Sequence, residues 1–474
     1  MFETYWWFGA LWVAVHLLGM AAAVHAMFGA RTPQGAVAWI VSLLTLPYIA
    51  LPLYLVLGRN KYKGYVHSIR VRSSHVREIG RGLVLLHRDF RRVLDGTAEK
   101  HRALELLTDI PFTCGNEARL LVDGAEAYRA MFDDIKAARE YVLVQFYIAR
   151  EDGVGREMSR LLRNKAAEGL AVYFLYDELG CHDTPELYWH KMRVAGVRVH
   201  AFGTGRHNRL QINFRNHRKM VVVDGRVAHT GGINLGDEYV GKDPVIGPWR
   251  DTNLRVRGPA VLGFQLAFVA DWHGITGELL ALAWEPRESE SGRADVLVLP
   301  TGPTDDVEAC SLFYLHLINS ARQRLWIATP YFVPDPPVIQ ALQLAAMRGV
   351  DVRVLVPEKA DHWLVWLSSF SYQDETEKSG VAFYRYRHGF MHQKAMLVDD
   401  DLAAVGTVNL DNRSFRLNFE ITALLHDRAF AEQVEAMLVQ DFQGSRRVRR
   451  GELARKGFWF RLGVAAARLL APVQ

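Results

Sequence analysis

One polar pattern occurs twice in this chain of 474 residues, with the same internal spacing each time. In the first copy, H-x-K-x4-D-x6-G-x2-N, the fixed residues are His217, Lys219, Asp224, Gly231 and Asn234. In the second copy, 175 residues later (217 to 392), they are His392, Lys394, Asp399, Gly406 and Asn409. Five residue types that recur across four fixed gaps are hard to obtain by chance. The repeat therefore predicts one site that is assembled from two halves of a duplicated chain.

The histidine and the lysine of each copy stand two residues apart. Residues i and i+2 of a strand share a face, so His217 and Lys219 are expected to point the same way, as are His392 and Lys394. A histidine beside a lysine suits an anionic substrate whose reaction needs a nucleophile or a proton carrier. For a single copy, a histidine hydrogen-bonded in the core is the simpler interpretation, and the second copy favours catalysis.

Two carboxylates follow the motifs at distances that would let them reach a histidine. Asp251 belongs to the sequence WRD and Glu420 to the sequence LNFE. We expect Asp251 to orient His217 and Glu420 to orient His392, each within its own half of the chain.

The aspartates of the motifs have a second explanation. Asp224 ends a predicted strand at an Asp-Gly turn, and that turn by itself accounts for an aspartate. Asp224 and Asp399 are kept among the candidate catalytic residues as members of the repeated pattern, although we doubt that Asp224 touches substrate. Asn234 and Asn409 would each supply an amide near the site.

The first sixty residues are strongly apolar. Residues 4–30 and 32–58 contain no Asp, Glu, Lys or Arg, and each stretch is long enough to cross a hydrocarbon layer of about 30 Å as a helix. They predict a transmembrane helical hairpin over 1–60, with Pro47 and Pro52 kinking its second helix. A cleaved signal peptide is the alternative, but the chain lacks a basic start and a second apolar segment follows at once.

A basic cluster follows the apolar segments. Six Lys or Arg and no acidic residue occur between positions 59 and 77, within a predicted juxtamembrane connector at 61–110. The positive-inside rule places this side of the membrane in the cytoplasm, and such a cluster also attracts anionic lipid headgroups. The simpler alternative, a solvated helix face, is compatible with both statements.

The remainder of the chain alternates predicted strands and helices in two comparable stretches. They form a first lobe at 111–285 and a second lobe at 295–450, joined by a charged linker at 285–294. The alternation predicts a mostly parallel, helix-flanked sheet in each lobe. The fold class is therefore α/β, with two pseudo-symmetric lobes of helix-flanked mixed sheets plus the N-terminal two-helix segment. Three scattered cysteines without a CxxC pair argue against a disulfide framework or a zinc knuckle.

The repeated motif resembles that of the phospholipase D superfamily. The wider pattern is similar to bacterial cardiolipin synthases over essentially the whole chain. The stretches that carry this likeness are RTPQGAVAW, YDELG, WRDTNLRVRGP, ATPYFVPD, GFMHQKAMLVDD, VGTVNLDNRSF and LNFE. Two departures are Cys181 and Thr407, where the family pattern leads us to expect a serine.

The resemblance implies a two-step phosphatidyl transfer. One histidine attacks phosphorus to form a phosphohistidine, and the other protonates the leaving alkoxide and later takes a proton from the acceptor. By analogy His217 is the favoured nucleophile. The side chains expected to neutralise the non-bridging phosphate oxygens are Lys219, Lys394, Asn234 and Asn409. No metal or other cofactor is required, because two lysines can supply the charge.

The resemblance also implies partners and location. Phosphatidylglycerol would donate its phosphatidyl group, glycerol would leave, and the second lipid is either phosphatidylglycerol or phosphatidylethanolamine. The expected location is the bacterial inner membrane, multi-pass, with the lobes on the cytoplasmic side, among anionic phospholipids and without nucleic acid. A homo-oligomer is compatible with the sequence, which does not decide it.

Three further points stay open at the level of sequence. Residues 451–474 are predicted to hold an interfacial helix on the bilayer, and a helix packed on the second lobe is the alternative. A membrane phospholipase D that transfers to water would use the same residues and release phosphatidic acid. A nuclease of the same superfamily is disfavoured because the lobes lack a basic stripe interleaved with aromatic residues.

Overall fold

The computed structural model of the chain describes residues 2–29, 33–58, 79–80, 82, 89–91, 98–108, 110–203 and 214–471. They fall into two compact units, one of Met1–Val71 with Thr204–Phe214 and one of Arg72–Gly203 with Arg215–Gln474. The basic cluster at 59–77 and most of the predicted connector at 61–110 lie outside the described residues.

The described residues contain fourteen α-helices, in chain order: α1 Phe2–Gly29, α2 Pro33–Thr45, α3 Pro47–Leu57, α4 Ala98–Leu106, α5 Asp123–Lys136, α6 Gly153–Ala167, α7 Glu186–Val194, α8 Val261–Thr276, α9 Ala309–Ser320, α10 Pro336–Met347, α11 Trp363–Glu377, α12 Asn412–Arg416, α13 Arg428–Gln443 and α14 Phe458–Leu469.

The strands of the described residues are, in the same order: β1 Thr113–Val122, β2 Tyr141–Phe146, β3 Ala171–Asp177, β4 Arg198–Phe202, β5 Arg215–Asn216, β6 Met220–Val223, β7 Val227–Gly231, β8 Trp249–Arg250, β9 Thr252–Arg257, β10 Ala294–Thr301, β11 Arg324–Ala328, β12 Phe332–Val333, β13 Asp351–Pro357, β14 Ala382–Tyr386, β15 Phe390–Met391, β16 Ala395–Val398, β17 Leu402–Gly406, β18 Leu410–Asp411, β19 Asn418–His426 and β20 Ser445–Arg447.

The N-terminal unit holds one long apolar helix and two shorter ones. Within the described residues, α1 alone is long and apolar enough to cross a membrane, over Trp6–Gly29. The second predicted span is interrupted: α2 ends at Thr45 and α3 begins at Pro47, because proline has no N–H to continue the helical hydrogen bonds. Pro52 lies inside α3. The two-helix prediction is therefore confirmed only in part.

The helices of this unit pack through small residues. A side chain at Gly19 would lie 2.6 Å from the Leu43 carbonyl oxygen, so only glycine permits this approach of α1 to α2. Polar side chains also meet between these helices: His25 Nδ1 lies 2.7 Å from the Tyr54 hydroxyl, and His16 Nδ1 lies 3.5 Å from the Tyr48 hydroxyl.

The second unit is built on a sixteen-stranded sheet in the described residues, whose main path is β20-β14-β13-β11-β16-β17-β19-β10-β1-β9-β7-β6-β2-β3-β4. The order mirrors itself about the central pair β10·β1. These two strands run antiparallel, with Thr113 opposite Val296. Each half thus contributes seven corresponding strands, and the two halves join edge to edge.

Strand directions differ from the sequence-based expectation. Along the main path of the sheet, parallel pairing is confined to the outer strands of each half, β2-β3-β4 and β11-β13-β14, whereas the inner strands are antiparallel. The prediction of a mostly parallel sheet is wrong because β6–β7 and β16–β17 are hairpins, and a short turn can only join antiparallel strands. The α/β class with a helix-flanked mixed sheet is confirmed.

Helices cover both faces of the sheet. On one face, α8 and α13 bury apolar side chains such as Phe264, Trp272 and Leu438 in a core shared by both halves. On the other face, α5, α6 and α7 cover the first half and α9 and α10 cover the second. The shared core fixes the halves relative to each other, and the site that they form depends on this.

The C-terminal helix α14 packs on α11 of the second half. Its Phe460 ring contacts Phe370 at 5.1 Å between centroids, and Arg468 lies 2.6 Å from Glu375. The remaining face is exposed, with Trp459 at 79% accessibility. The packing alternative is thus observed, and membrane contact by the other face stays a prediction.

Candidate active site

The motif residues lie where the two halves of the sheet meet. His217, Arg218 and Lys219 connect β5 to β6, so the regular strand begins only at Met220. The alternation expected of a strand nevertheless holds: His217 lines a pocket, while Arg218 points away and donates to Asp271 at 2.8 Å.

Both histidines line one pocket of about 770 Å³. His217 comes from the first half and His392 from the second, and both are largely buried. Asn234 and Asn409 line the same pocket. The structure therefore brings together four of the predicted side chains from positions far apart in sequence.

Each histidine is paired with the carboxylate of the opposite half. His217 Nδ1 lies 2.9 Å from both Glu420 oxygens, and His392 Nδ1 lies 3.0 Å from Asp251 Oδ2. The prediction that each half orients its own histidine is wrong.

Short strand pairings explain the exchange. β5 pairs with β19 and β8 pairs with β15, so each half's post-motif segment runs beside the other half's histidine. The histidine backbones are held in the same way, since His217 N donates to the Phe419 carbonyl and His392 N donates to the Arg250 carbonyl.

The lysines lie beneath the histidines rather than on the pocket surface. Lys219 Nζ donates to the His217 carbonyl at 2.7 Å, and Lys394 Nζ donates to the His392 carbonyl at 2.6 Å. Lys394 Nζ is also 3.0 Å from His392 Nε2. Both ammonium groups are buried, so they face the reacting centre from below in a medium of low dielectric.

Burial controls the protonation of these groups. It lowers the pKa of His217 to about 4, against the opposing charge of Glu420. It also lowers the pKa of His392 to about 4, with Lys394 adding to the effect. Burial likewise lowers the pKa of Lys394 to about 8 and that of Lys219 well below its usual range. With pKa values of about 4, both imidazoles are neutral at pH 7.

The two asparagines of the motifs differ in their hydrogen bonding. Asn234 is committed to the protein: its Oδ1 accepts from Ile148 N at 3.1 Å and its Nδ2 donates to the Tyr239 hydroxyl at 2.6 Å. Asn409 Oδ1 is buried and has no hydrogen-bond partner within the described residues. At the position of Tyr239, the second half has Ser414, whose hydroxyl accepts from the Asn409 backbone.

The two motif aspartates lie outside the pocket. Asp224 accepts hydrogen bonds from the amides of Arg139, Glu140 and Tyr141, each at 2.8 Å, and Asp399 does the same for residues 322–324. Both have positive φ, 53° and 52°, which aspartate tolerates better than most residues. The prediction that they are catalytic is corrected: each carboxylate ties the end of a hairpin to the start of a neighbouring strand.

Several pocket residues were not predicted. Tyr147 lies edge-on to His217 at 5.0 Å between ring centroids, and Trp249 lies 5.2 Å from His392. Arg215 and Arg413 also line the pocket. Tyr147 directly follows β2, and Trp249 begins β8. This position beside a strand was the sequence signal that could have identified them.

The two departures from the family pattern keep the local chemistry. The Thr407 hydroxyl donates to Glu420 Oε2 at 2.5 Å, as a serine hydroxyl could. Cys181 is buried, accepts from Ala149 N at 3.2 Å, and has a pKa raised to about 12 by burial. The described residues contain no group of three or more His, Cys, Asp and Glu arranged to hold a metal ion.

Comparison with known proteins identifies the family. A family model described as "Cardiolipin synthase, PLD-like domain" matches residues 131–243 and 314–442, and one described as "Phospholipase_D-nuclease N-terminal" matches residues 10–59. Cardiolipin synthase A of Pseudomonas putida (strain GB-1) is 44% identical over 476 residues, which covers 99% of this chain and 98% of that protein. Cardiolipin synthase A of Pseudomonas aeruginosa (strain LESB58) is 44% identical over 483 residues, covering 98% and 96%.

Solved structures show the same fold at low sequence identity. The phosphatidylserine synthase of Haemophilus influenzae Rd KW20 has a TM-score of 0.60 at 16% identity, covering 79% of this chain and 100% of that one. A polyphosphate kinase from Porphyromonas gingivalis has a TM-score of 0.51 at 13% identity, covering 75% and 52%. With the sequence relatives and the repeated site, the conclusion is that this chain belongs to the family of PLD-like cardiolipin synthases.

Proposed function

We propose that this protein is a phosphatidyltransferase that makes cardiolipin and glycerol from two molecules of phosphatidylglycerol. The observation that carries the proposal is the pair of histidines on one pocket, each hydrogen-bonded to a carboxylate of the other half. A phosphodiester has a poor alkoxide leaving group, and two positioned imidazoles divide its displacement into two easier steps.

In the first step, one imidazole nitrogen attacks phosphorus and the bond to the glycerol oxygen breaks. The other histidine gives its proton to that oxygen, so glycerol leaves neutral. In the second step, the hydroxyl of the acceptor lipid attacks phosphorus, the phosphorus–nitrogen bond breaks, and the proton returns to the second histidine. His217 remains our favoured nucleophile, by analogy with the superfamily.

The carboxylates fix which nitrogen reacts. Because Glu420 and Asp251 accept from Nδ1, each histidine presents Nε2 to the pocket. Asp251 and Glu420 therefore act as histidine-orienting groups. In addition, each stabilises its imidazole when that ring becomes positively charged.

The two lysines and the Asn409 Nδ2 amide bind the phosphate oxygens in this proposal, whereas the Asn234 amide stays bonded to Ile148 and Tyr239. Lys219 and Lys394 have depressed pKa values because they are buried, and a phosphate anion would raise them again. The same anion raises the pKa of the histidine that acts as the acid. Binding thus recruits the proton that the first step consumes, and preorganised charge in a dry pocket stabilises the transition state.

The protein acts at a membrane surface. The apolar helix α1 would anchor it there, and the second apolar segment would complete a multi-pass anchor in the inner membrane. The basic residues at 59–77 favour a cytoplasmic location for the catalytic unit. No metal is needed in this scheme, since two lysines supply the charge.

The exposed apolar surface beside the pocket supports access from the bilayer. Leu364 lines the pocket, and the adjoining Trp363 is 69% exposed. On α14, which packs on the same helix, Phe458 and Trp459 are exposed as well. We propose that these residues contact the interface, so that lipid tails stay in the membrane while the headgroup enters the pocket.

A defined-lipid assay tests the function. Purified protein in vesicles of pure phosphatidylglycerol is expected to form cardiolipin and glycerol in equal amounts. Phosphatidic acid as the main product would instead identify a hydrolase. Adding phosphatidylethanolamine and following its consumption determines whether it also serves as the second lipid.

A further inference from the structure

The pocket wall beside His217 carries two side-chain amide oxygens that the mechanism above does not use. Asn409 Oδ1 and Asn418 Oδ1 are buried acceptors without a hydrogen-bond partner in the described part of the chain. Both side chains line the pocket and are only 5% and 4% exposed. Since buried polar atoms in folded proteins are nearly always satisfied, these two oxygens indicate a missing hydrogen-bond donor, as a ligand hydroxyl would supply.

Two arginines lie on the same wall. Arg215 adjoins Asn418 through the pairing of β5 with β19, and Arg413 lies on α12. Both arginines line the one pocket, and burial, together with the positive charge of Arg215, lowers the pKa of Arg413. Two cations that line one pocket favour an anion there, and the guanidinium fork suits phosphate.

Two acids near Arg413, Asp411 and Asp177, are held by backbone amides. Asp411 accepts from Ser414 N at 2.6 Å, and burial raises its pKa to about 6. Asp177 accepts from the backbone amides of Asn216 and Gly180.

The corresponding positions of the repeat hold different residues. Positions 175 residues away hold Phe390 in place of Arg215 and Glu238 in place of Arg413. Asn234 has both amide atoms occupied, and Trp249 stands two residues before Asp251, as Asn418 stands two residues before Glu420. The arginines and the unsatisfied oxygens thus have no equivalent at these positions, where Glu238 is paired with Arg150.

We propose that Arg215, Arg413, Asn409 and Asn418 form an acceptor subsite for the phosphoglycerol headgroup of the second lipid. The arginines bind its phosphate, and the asparagine oxygens accept from its glycerol hydroxyls. This inference rests on the proposed function, since the reacting phosphate is held by the histidines and lysines and a second phosphate belongs to the acceptor. The three-carbon glycerol bridge of the product lets two phosphates occupy one pocket of this size.

The subsite would favour a lipid acceptor over water or glycerol, which carry no phosphate. In each reaction the acceptor oxygen bonds to phosphorus, the phosphorus–nitrogen bond breaks and the acceptor proton passes to the second histidine. The acceptors differ in what holds them during this step. Loss of the arginines should therefore impair lipid transfer selectively and leave the first step less affected.

The test compares two reactions of the same enzyme in vesicles of phosphatidylglycerol: cardiolipin formation, and exchange of labelled free glycerol into phosphatidylglycerol. Arg413→Gln and Arg215→Gln are each expected to lower the ratio of cardiolipin formation to glycerol exchange on the order of ten- to thirtyfold. Arg413→Lys, which keeps the charge but not the fork, should lose less. The matched control is Arg150→Gln, which removes an arginine from the same pocket that is already bonded to Glu238 at 2.7 Å.

A soluble acceptor distinguishes recognition of the acceptor's phosphate from recognition of its lipid tails. With phosphatidylglycerol as donor, wild-type enzyme should prefer glycerol 3-phosphate to glycerol as acceptor, and the two glutamine variants should lose that preference. If the glutamine variants lose the preference for glycerol 3-phosphate but still prefer lipid acceptors, the arginines bind a free phosphate. That result would overturn the lipid subsite.

The remaining outcomes are also decisive. A parallel fall of both reactions, or no change in their ratio, overturns the proposal, and measurable glycerol exchange itself reports a folded variant. If wild-type enzyme exchanges glycerol but forms no cardiolipin, the proposed function fails instead.

Discussion

The two histidines of the pocket have different surroundings. Glu420, beside His217, also accepts from the Thr407 hydroxyl and from Asn418 Nδ2 at 3.1 Å. Asp251, beside His392, also accepts from the Trp249 indole at 3.2 Å. One half thus uses a longer acid and a hydroxyl, the other a shorter acid and an aromatic N–H.

The glycine at position 232 explains part of this difference. Gly232 corresponds to Thr407, and a side chain there would lie 2.0 Å from Asp251 Oδ1. In the second half the Thr407 hydroxyl lies beside the carboxylate of Glu420, whereas at Gly232 the Asp251 carboxylate occupies that space itself. The comparison teaches that imidazole orientation is kept while the supporting contacts differ.

The largest effect on cardiolipin formation is expected at the two histidines, which occupy equivalent positions in the two halves. His217→Ala and His392→Ala should each reduce cardiolipin formation at least about a thousandfold, because one removes the nucleophile and the other its acid partner. The defined-lipid assay measures this, with chemical trapping of the phosphatidyl adduct to identify which histidine bears it. Substantial activity in either variant would contradict a mechanism with two histidines.

The crossed pairing predicts the next largest effect. Glu420→Gln and Asp251→Asn should each lower kcat on the order of a hundredfold, because the amide stabilises a charged imidazole poorly. Ring nitrogen NMR of histidine-labelled protein checks the pairing directly: Glu420→Gln should shift His217 and leave His392 in place, and Asp251→Asn the reverse. A shift within the same half would refute the crossing.

A smaller effect is expected at Thr407. Thr407→Val removes one hydrogen bond to Glu420 and should lower kcat about tenfold, a cost typical of a lost bond to a charged acceptor. Thr407→Ser, which keeps the hydroxyl, is the control and should stay within about twofold of wild type. Equal losses in both variants would assign the effect to packing of the methyl group.

Anion binding should be linked to proton uptake. Both histidines have a pKa of about 4, and a bound anion would raise it, so sulfate should bind with uptake of up to one proton above that pH. Affinity should then fall as pH rises from about 5 to 7. Calorimetry in buffers of different ionisation enthalpy measures the uptake, which the double variant with asparagine at both histidines should lose.

The smallest effect on rate is expected at the motif aspartates. Asp224→Ala removes an acceptor for three backbone amides and should lower the free energy of unfolding by about 2 kcal/mol. The rate per folded molecule should change less than about threefold, and Asp399→Ala should behave alike. Thermal unfolding beside the lipid assay checks both quantities, and a collapse of kcat at unchanged stability would restore a catalytic role.

Much of this site could be predicted from the sequence because the repeated motif identifies its residues. The repeat locates both histidines, both lysines and both asparagines, and the apolar runs give the strands beside them within a few residues. The pairing of Glu420 with His217 could not be predicted, since either carboxylate can serve either histidine until the strand order is known.

The arginines were missed for a different reason. A search for repeated residues passes over positions where the copies differ, and Arg215 corresponds to Phe390. Likewise, Asn409 Oδ1 has no donor in the described residues, whereas the corresponding Asn234 Oδ1 accepts from Ile148 N. Such asymmetry is visible only when contacts are known.

The exchange of carboxylates between halves has a consequence for how such a chain can change over time. Two identical subunits would have to carry the same acid and the same glycine or threonine, because each mutation would enter both copies. In a single polypeptide the two halves can mutate independently, so each wall can acquire its own residues. Because each histidine needs the carboxylate of the other half, neither half can be lost. Neither half expressed by itself should assemble a competent imidazole, since its orienting acid resides in the other.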